Sequence, residues 1–190
     1  MSESESGHFA RVVVIGSSGS GKTTLARRLA ETLGVRHVEL DALHFLPDWQ
    51  ERSDADFKQG VADAIRGDRW VVDGNYSIAR DLVWPRATRI IWLNYSFART
   101  FGQALRRTAR RFIHREVLWA GNRERLWTTL FSRDSILWWV ISTHARRKRE
   151  FGALRDPSHE LSDLLLELTH PRQAETLLRR LEEEEEEAGN

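Results

Sequence analysis

Hydrophobic positions along the chain alternate between short apolar runs and longer segments in which apolar residues recur every three or four positions. The runs are rich in β-branched residues, as in strands that are buried on both faces of a parallel sheet. They predict five strands, at residues 11–15, 35–40, 69–72, 89–93 and 164–168. The segments between them predict helices, most clearly at 25–33, 54–66 and 96–113. Such alternation is typical of a parallel sheet that is covered by helices on both faces.

Residues 114–151 depart from this alternation. Four tryptophans lie there among arginines, and residues 135–149 begin with a stretch that is apolar on almost every face of a helix before it turns basic. A helix of this kind needs cover on several sides. We therefore predict that residues 114–151 form a helical lid inserted into the domain, or an oligomer contact that would make a homodimer.

The chain has 190 residues, of which 41% are hydrophobic and 30% charged, and this suits one folded domain over residues 1–190. We expect a disordered leader at 1–9 and a solvated acidic tail at 182–190, where six glutamates follow one another. The absence of cysteine excludes disulfides, thiolate zinc sites and cysteine nucleophiles. No apolar run approaches the roughly 18 residues that span a bilayer, and the start lacks the regions of a signal peptide, so we expect a cytoplasmic protein.

The formal net charge of +1 hides an uneven distribution of charge along the chain. Residues 99–149 contain thirteen basic residues and only three acidic ones, which gives this segment a net charge of +10. A basic block of this size indicates a polyanionic partner, such as nucleotide phosphates or nucleic acid.

A phosphate-binding motif follows the first predicted strand. Residues 16–23 have the sequence GSSGSGKT, which matches the Walker A pattern and is followed by a predicted helix. Glycine-rich turns let backbone N–H groups approach phosphate oxygens, and the helix N-terminus adds the positive end of its dipole. We expect Lys22 to bind the β- and γ-phosphates of ATP and the Thr23 hydroxyl to hold Mg²⁺. The residues predicted to bind the nucleotide in this loop are Gly16, Ser17, Ser18, Gly19, Ser20, Gly21, Lys22, Thr23 and Thr24.

With this motif the chain resembles the P-loop NTPases of the nucleoside monophosphate kinase superfamily, which includes adenylate, shikimate and gluconate kinases. A short strand at 35–41, the sequence WVVDGN at 70–75 and an arginine-bearing helix add to the resemblance. More narrowly, residues 44–49 (HFLPDW), 73–76 (DGNY), 121–124 (GNRE) and 135–138 (SILW) resemble the adenylate-kinase-related topology modulation proteins. The resemblance implies a three-layer α/β/α fold with a five-stranded parallel sheet and a helical lid, in which ATP binds the phosphate loop and the acceptor lies over the carboxyl ends of the strands.

The resemblance also implies roles for residues that follow the second and third strands. Asp41 stands where shikimate-kinase-like relatives have an acceptor-binding aspartate, which could orient a hydroxyl and accept its proton. Asp73 is similar to the acidic residue of a Walker B strand and would hold Mg²⁺ through water. Adenylate kinases continue with Phe-Pro-Arg where this chain has residues 75–77 (NYS), which argues against AMP as the acceptor. The residues predicted to bind the acceptor are Asp41, Gly74, Asn75 and Arg80, the last as a phosphate clamp.

The predicted helix at 96–113 has a basic stripe opposite its apolar side, formed by Arg99, Arg106 and Arg110. By resemblance, Arg106 and Arg110 lie at the start of the lid. Arginines there stack on the base of ATP and neutralise charge on the transferred phosphoryl group. We therefore expect Arg106 and Arg110 to bind the nucleotide and to act in catalysis.

These observations predict an ATP-dependent phosphotransferase, a P-loop kinase that moves the γ-phosphoryl group of Mg·ATP to a small acceptor, either a nucleotide or a hydroxyl metabolite. Lys22, Asp41, Asp73, Arg106 and Arg110 are its predicted catalytic residues. One alternative is a nucleotide-gated protein that binds nucleic acid through the Arg/Trp-rich segment 99–149. Another is an ATPase that regulates a protein partner. The residues leave the identity of the acceptor open, and also whether the phosphoryl group goes to an acceptor or only to water.

Overall fold

The structure, a computed structural model, describes residues 8–113, 118–121 and 136–188. Within them lies a five-stranded sheet in the order β2-β3-β1-β4-β5, and each pair of neighbouring strands is parallel. Every strand lies within one residue of its predicted bounds, so the predicted parallel sheet is confirmed. The strands are β1 (Arg11–Gly16), β2 (Arg36–Glu39), β3 (Trp70–Asp73), β4 (Arg89–Leu93) and β5 (Leu165–Leu168).

Helices connect the strands and cover both faces of the sheet. Those with a clear apolar period begin and end close to the predicted residues, whereas α2 and α4 were not predicted, since four or five residues are too few to display a helical period. The helices are α1 (Lys22–Thr32), α2 (Leu40–His44), α3 (Asp54–Ala64), α4 (Arg80–Val83), α5 (Phe97–Ile113), α6 (Ile136–Gly152) and α7 (Pro171–Ala188).

The two sides of the sheet bury separate apolar clusters, and the strands supply residues to each side in turn. In β1, Val12 and Val14 pack with α1 and α7, while Val13 and Ile15 pack with α3 and the end of α6. Each of these four side chains is at most 1% exposed. The continuous apolar runs of the sequence are therefore explained by burial on both faces, and the result is the predicted three-layer arrangement.

Both ends of the described chain are more ordered than the sequence indicated. Phe9 is only 5% exposed and belongs to the cluster around α1, and the Arg89 guanidinium lies 5.5 Å from the centroid of its ring. The disordered leader predicted for 1–9 is therefore wrong at Phe9. The six glutamates at 182–187, predicted as a solvated tail, continue α7 as helix to Ala188. Among the described residues, no helix is both long enough and apolar enough to cross a membrane.

The predicted insertion at 114–151 lies partly outside the described residues. Its second half forms α6, in agreement with the helix predicted from residue 135. Its first half contributes a single turn at Trp119–Gly121. A homodimer contact through this segment stays a prediction.

Replacement of Phe9 by alanine tests whether this residue belongs to the core. We expect Phe9→Ala to lower the free energy of unfolding by about 3 kcal/mol, because it removes a buried ring and leaves a cavity. The matched control is Ile113→Ala, since Ile113 is 70% exposed, and its effect should stay within about 0.5 kcal/mol. Urea denaturation measures both, and equal effects of the two replacements would contradict the assignment.

Candidate active site

The phosphate loop leaves the end of β1 and enters α1 through a series of tight turns. Gly16, Gly19 and Gly21 have φ angles of 152°, 83° and 95°, which other residues rarely adopt. α1 begins at Lys22, directly after the left-handed Gly21. The first N–H groups of a helix have no carbonyl partner within the helix. In α1 these groups directly follow the last turn of the phosphate loop. This arrangement is a ready-made site for an anion such as a phosphate group.

The phosphate loop packs against α5 at a point where the residues on both sides of the contact are small. A Cβ atom at Gly19 would lie 2.8 Å from the Cβ of Ala104 and 2.9 Å from the carbonyl oxygen of Thr100. Ala104 is fully buried in this contact. The position of the loop therefore depends on a glycine in the loop and an alanine in α5, and α5 is the helix that carries the predicted arginines.

Lys22 lies between groups of both signs. Its ammonium donates a hydrogen bond to the carbonyl oxygen of Ser17 at 3.2 Å, which folds the side chain back over the loop. Burial lowers the pKa of Lys22; the charges of Asp41 and Asp73 raise it, and those of Arg107 and Arg147 lower it further. The structure thus brings Lys22 near both predicted carboxylates, and near two arginines that the sequence did not single out.

The two residues predicted to hold magnesium are in direct contact. The Thr23 hydroxyl donates to Asp73 Oδ2 at 2.5 Å, and Asp73 is only 2% exposed at the end of β3, which lies between β2 and β1. His37 Nε2 lies 3.0 Å from the other carboxylate oxygen. Hydroxyl and carboxylate oxygens are ligands that suit Mg²⁺, so these residues fit the predicted metal. Among the described residues, no group of three or more His, Asp or Glu side chains has the geometry to hold a metal by itself.

His37 is a part of this site that could not be selected from the sequence. It lies on β2, whose Glu39 pairs in register with Asp73 of β3, so the neighbouring strand brings its imidazole to the carboxylate. The contact depends on the strand order, in which β3 lies between β2 and β1. A histidine at this spacing has no motif of its own.

Asp41 lies in α2, just beyond the end of β2. The Tyr76 hydroxyl donates to its Oδ1 atom at 2.8 Å. Burial and the nearby negative charge of Asp41 raise the pKa of Tyr76 above its usual range, so Tyr76 stays a neutral donor. Tyr76 thereby fixes the orientation of the carboxylate.

Gly74 and Asn75 support the loop and α2. The Asn75 amide nitrogen donates to the carbonyl oxygen of Gly16 at 2.6 Å, and its oxygen accepts from the Gly16 N–H at 3.4 Å. A Cβ at Gly74, whose φ is 139°, would lie 2.8 Å from the Cβ of Leu40. Of these two predicted acceptor residues, Asn75 therefore contacts the phosphate loop, and Gly74 contacts Leu40, the neighbour of Asp41 in sequence.

Arg80, predicted as a phosphate clamp, has a carboxylate partner within the protein. It forms an ion pair with Glu150 of α6, and its guanidinium lies 4.7 Å from the centroid of the Trp84 ring. Glu150 also accepts from Arg147 at 3.0 Å. The negative charge that Arg80 faces in this structure is therefore that of Glu150.

The arginines of α5 divide between two faces of the helix. Arg106 and Arg110 are exposed, and Arg106 lines a groove of about 370 Å³ together with Ser96, Arg99 and Gln103. Arg107 lies one helical turn beyond Ala104, on the side that touches the phosphate loop, and its charge acts on Lys22. The sequence prediction relied on the basic stripe that lies opposite the apolar side of α5. The phosphate loop instead packs against the edge of α5 where the apolar side meets the basic stripe.

One turn from the predicted lid reaches the end of β2. The Trp119 indole N–H donates to the Glu39 carboxylate, and the Arg111 guanidinium lies 6.0 Å from a Trp119 ring centroid. The Trp119 ring also lies 6.1 Å from that of Phe45 and 6.3 Å from that of Trp49, which follow α2. Trp119 therefore spans the space between α5 and the acceptor side of the site.

Replacement of Gly19 by alanine tests the contact between the phosphate loop and α5. We expect Gly19→Ala to lower the free energy of unfolding by about 1–3 kcal/mol, because the new methyl group collides with α5 and the left-handed φ becomes strained. Gly60→Ala is the control, since Gly60 lies within α3 and a Cβ there would meet no atom within 4 Å. That variant should be neutral or more stable in thermal or urea denaturation, and a neutral Gly19→Ala would contradict the contact.

Comparison with known proteins identifies the family of this chain. A family model described as AAA domain (AAA_33) matches residues 12–184, which include the phosphate loop and all five strands. The chain therefore belongs to this family and is a P-loop NTPase. A search among curated protein sequences finds no match.

Solved structures with a similar fold include several that are described as kinases. A Chloroflexus aurantiacus protein provisionally named a kinase is 17% identical, with a TM-score of 0.51, over 93% of this chain and 98% of its own. A Sinorhizobium meliloti gluconokinase is 19% identical over 96% and 99% of the two chains, with a TM-score of 0.47. A Janibacter sugar kinase is 18% identical over 90% of each chain, also with a TM-score of 0.47.

Proposed function

We propose that this AAA domain protein is a kinase that transfers the γ-phosphoryl group of Mg·ATP to a small acceptor. The observation that carries the proposal is the contact between Thr23 and the buried Asp73, beside Lys22 at the start of α1. A hydroxyl, a carboxylate and an ammonium meet there at the loop that offers its backbone amides. These are the groups that a metal-bound triphosphate needs.

The donor half of the site would consist of residues 16–24 and the arginines that face them. Lys22 would bind the β- and γ-phosphates, and Thr23 together with Asp73, through water, would hold the magnesium ion that ATP carries. That ion would supply positive charge at the phosphates. Arg107 and Arg147 would add positive charge beside Lys22, where charge shifts during transfer. Arg106, on the neighbouring groove, would contact the base or ribose.

The acceptor half would lie around Asp41. An acceptor hydroxyl oxygen would form the new bond to the γ-phosphorus, the bond to the β-phosphate oxygen would break, and ADP would leave. Asp41 would take the proton of that hydroxyl, oriented for this by Tyr76. Glu39 and Asn75 would border the same space. No nucleophilic side chain is needed, because phosphoryl transfer depends on positioning and on charge.

Replacement of Lys22 by alanine tests the donor site. We expect Lys22→Ala to weaken Mg·ATP binding about 10- to 100-fold, because it removes a charged hydrogen-bond donor to the phosphates. Lys58→Ala is the matched control, since Lys58 is paired with Asp81 on the surface, away from the loop. Titration calorimetry measures both affinities, and unchanged binding by Lys22→Ala would refute the proposed site.

The arginines of α5 can be separated by kinetics. We expect Arg107→Gln to lower kcat about 100-fold, because it removes a cation that faces the transferred group. Arg106→Gln should act mainly on the KM for ATP. The rate of ADP formation measures both, with water as acceptor if no other is found. If Arg106→Gln loses as much kcat as Arg107→Gln, the result would favour the catalytic role that the sequence analysis assigned to Arg106.

A further inference from the structure

We infer that the acceptor is a small compound that carries hydroxyl groups and no acidic group, such as a sugar or polyol, and that phosphates and carboxylates are excluded. The inference rests on the proposed function and concerns the acceptor side of the same site, which comprises Glu39, Asp41 and the aromatic rings of Phe45, Trp49 and Trp119.

Three carboxylates lie together at the ends of β2 and β3. Glu39 is in register with Asp73, and Asp41 follows two residues later in α2. The negative charges of Asp73 and Asp41 both act on the Glu39 carboxylate. The three groups are thus close enough to repel one another. An acidic acceptor would bring a further negative charge into this space.

The carboxylates that face the acceptor are hydrogen-bonded by neutral donors. Asp41 accepts from the Tyr76 hydroxyl at 2.8 Å, and Glu39 accepts from the Trp119 indole. Neither bond cancels the negative charge. A substrate hydroxyl is a donor of the same kind, so it can bond to these carboxylates where a phosphate or carboxylate group cannot.

Arg80, the residue predicted to clamp a phosphate of the acceptor, is already paired within the protein. Arg80 lines a small cavity with Asn75 and Tyr76, and Glu150 holds its guanidinium from the other side. Although burial opposes it, the hydrogen bonds from Arg80 and Arg147 lower the pKa of Glu150, which therefore keeps its negative charge. Lys22, whose charge acts on Asp41, would face the triphosphate in the proposed function.

Aromatic rings complete the acceptor side. Phe45 and Trp49 lie edge to face at 5.4 Å, and Trp119 lies within 6.3 Å of both. Trp49 is 39% exposed although it is a large apolar side chain. Rings of this kind pack against the C–H faces of a compact hydroxyl compound, while neighbouring carboxylates bind its hydroxyls.

Matched acceptor pairs test the inference. We would measure kcat/KM for acceptor-dependent ADP formation, with products checked by phosphorus NMR, for glucose and glucose 6-phosphate, glucitol and gluconate, and adenosine and AMP. We expect the uncharged member to be preferred by about 100-fold in the pairs that react. Preference for the acidic member in any pair would overturn the inference.

The same experiment separates failure of the inference from failure of the proposed function. Transfer to no acceptor, alongside Mg·ATP binding that depends on Lys22, would overturn the acceptor class and leave the nucleotide site in place. Absence of Lys22-dependent Mg·ATP binding would overturn the proposed function itself.

A variant that frees Arg80 provides an independent test. We expect Glu150→Gln to reduce the ratio of kcat/KM for the uncharged over the acidic acceptor about 10-fold, because Arg80 then becomes available to an acidic group. Glu160→Gln is the matched control, since Glu160 is exposed and lies outside the site, and its acceptor ratio should match that of the unmodified protein. Denaturation curves show whether each variant is folded. An unchanged ratio in folded Glu150→Gln would overturn the part assigned to Arg80.

Discussion

The buried carboxylate of Asp73 is the constraint from which the rest of the site follows. A charge that is 2% exposed is costly unless it is paired or hydrogen-bonded, and here its partners come from two other elements. Thr23 at the start of α1 binds one oxygen, and His37 of β2 lies beside the other. Both contacts require β3 to lie between β1 and β2. The strand order therefore brings the phosphate loop, the Asp73 carboxylate and the end of β2 to one edge of the sheet.

Charge divides this edge into two halves. The carboxylates Glu39 and Asp41 lie at the end of β2, whereas Arg107 and Arg147 come from the helices α5 and α6, with Lys22 between the two groups. An anionic donor and a non-acidic acceptor would each find complementary surroundings in this arrangement. The contact of Gly19 with α5 holds the phosphate loop beside the arginines of α5.

The sequence was sufficient where the cause is local. The apolar run at 12–15 identifies a strand that is buried on both faces, and the glycines and Lys22 identify the loop that follows it. It was insufficient where a role depends on packing angle or on distant partners. Arg107 and Arg106 are neighbours in sequence, and only the docking of Ala104 on the loop shows which of them faces Lys22. Arg80 and Glu150 are separated by 70 positions, and nothing local to either residue indicates the pair.

Glu39 and Asp41 are bound by neutral donors, whereas two other carboxylates of the molecule, Glu150 and Glu167, are bound by arginines. Glu167 on β5 binds the Arg155 guanidinium at 2.7 Å, and Glu150 binds two arginines, as is usual where a carboxylate stabilises the fold. Glu39 and Asp41 instead accept from an indole and a phenol. The chain has 29 basic residues, so a shortage of arginine does not explain the difference. Carboxylates held by neutral donors keep their capacity to attract hydroxyl groups, and that capacity is what a hydroxyl acceptor requires.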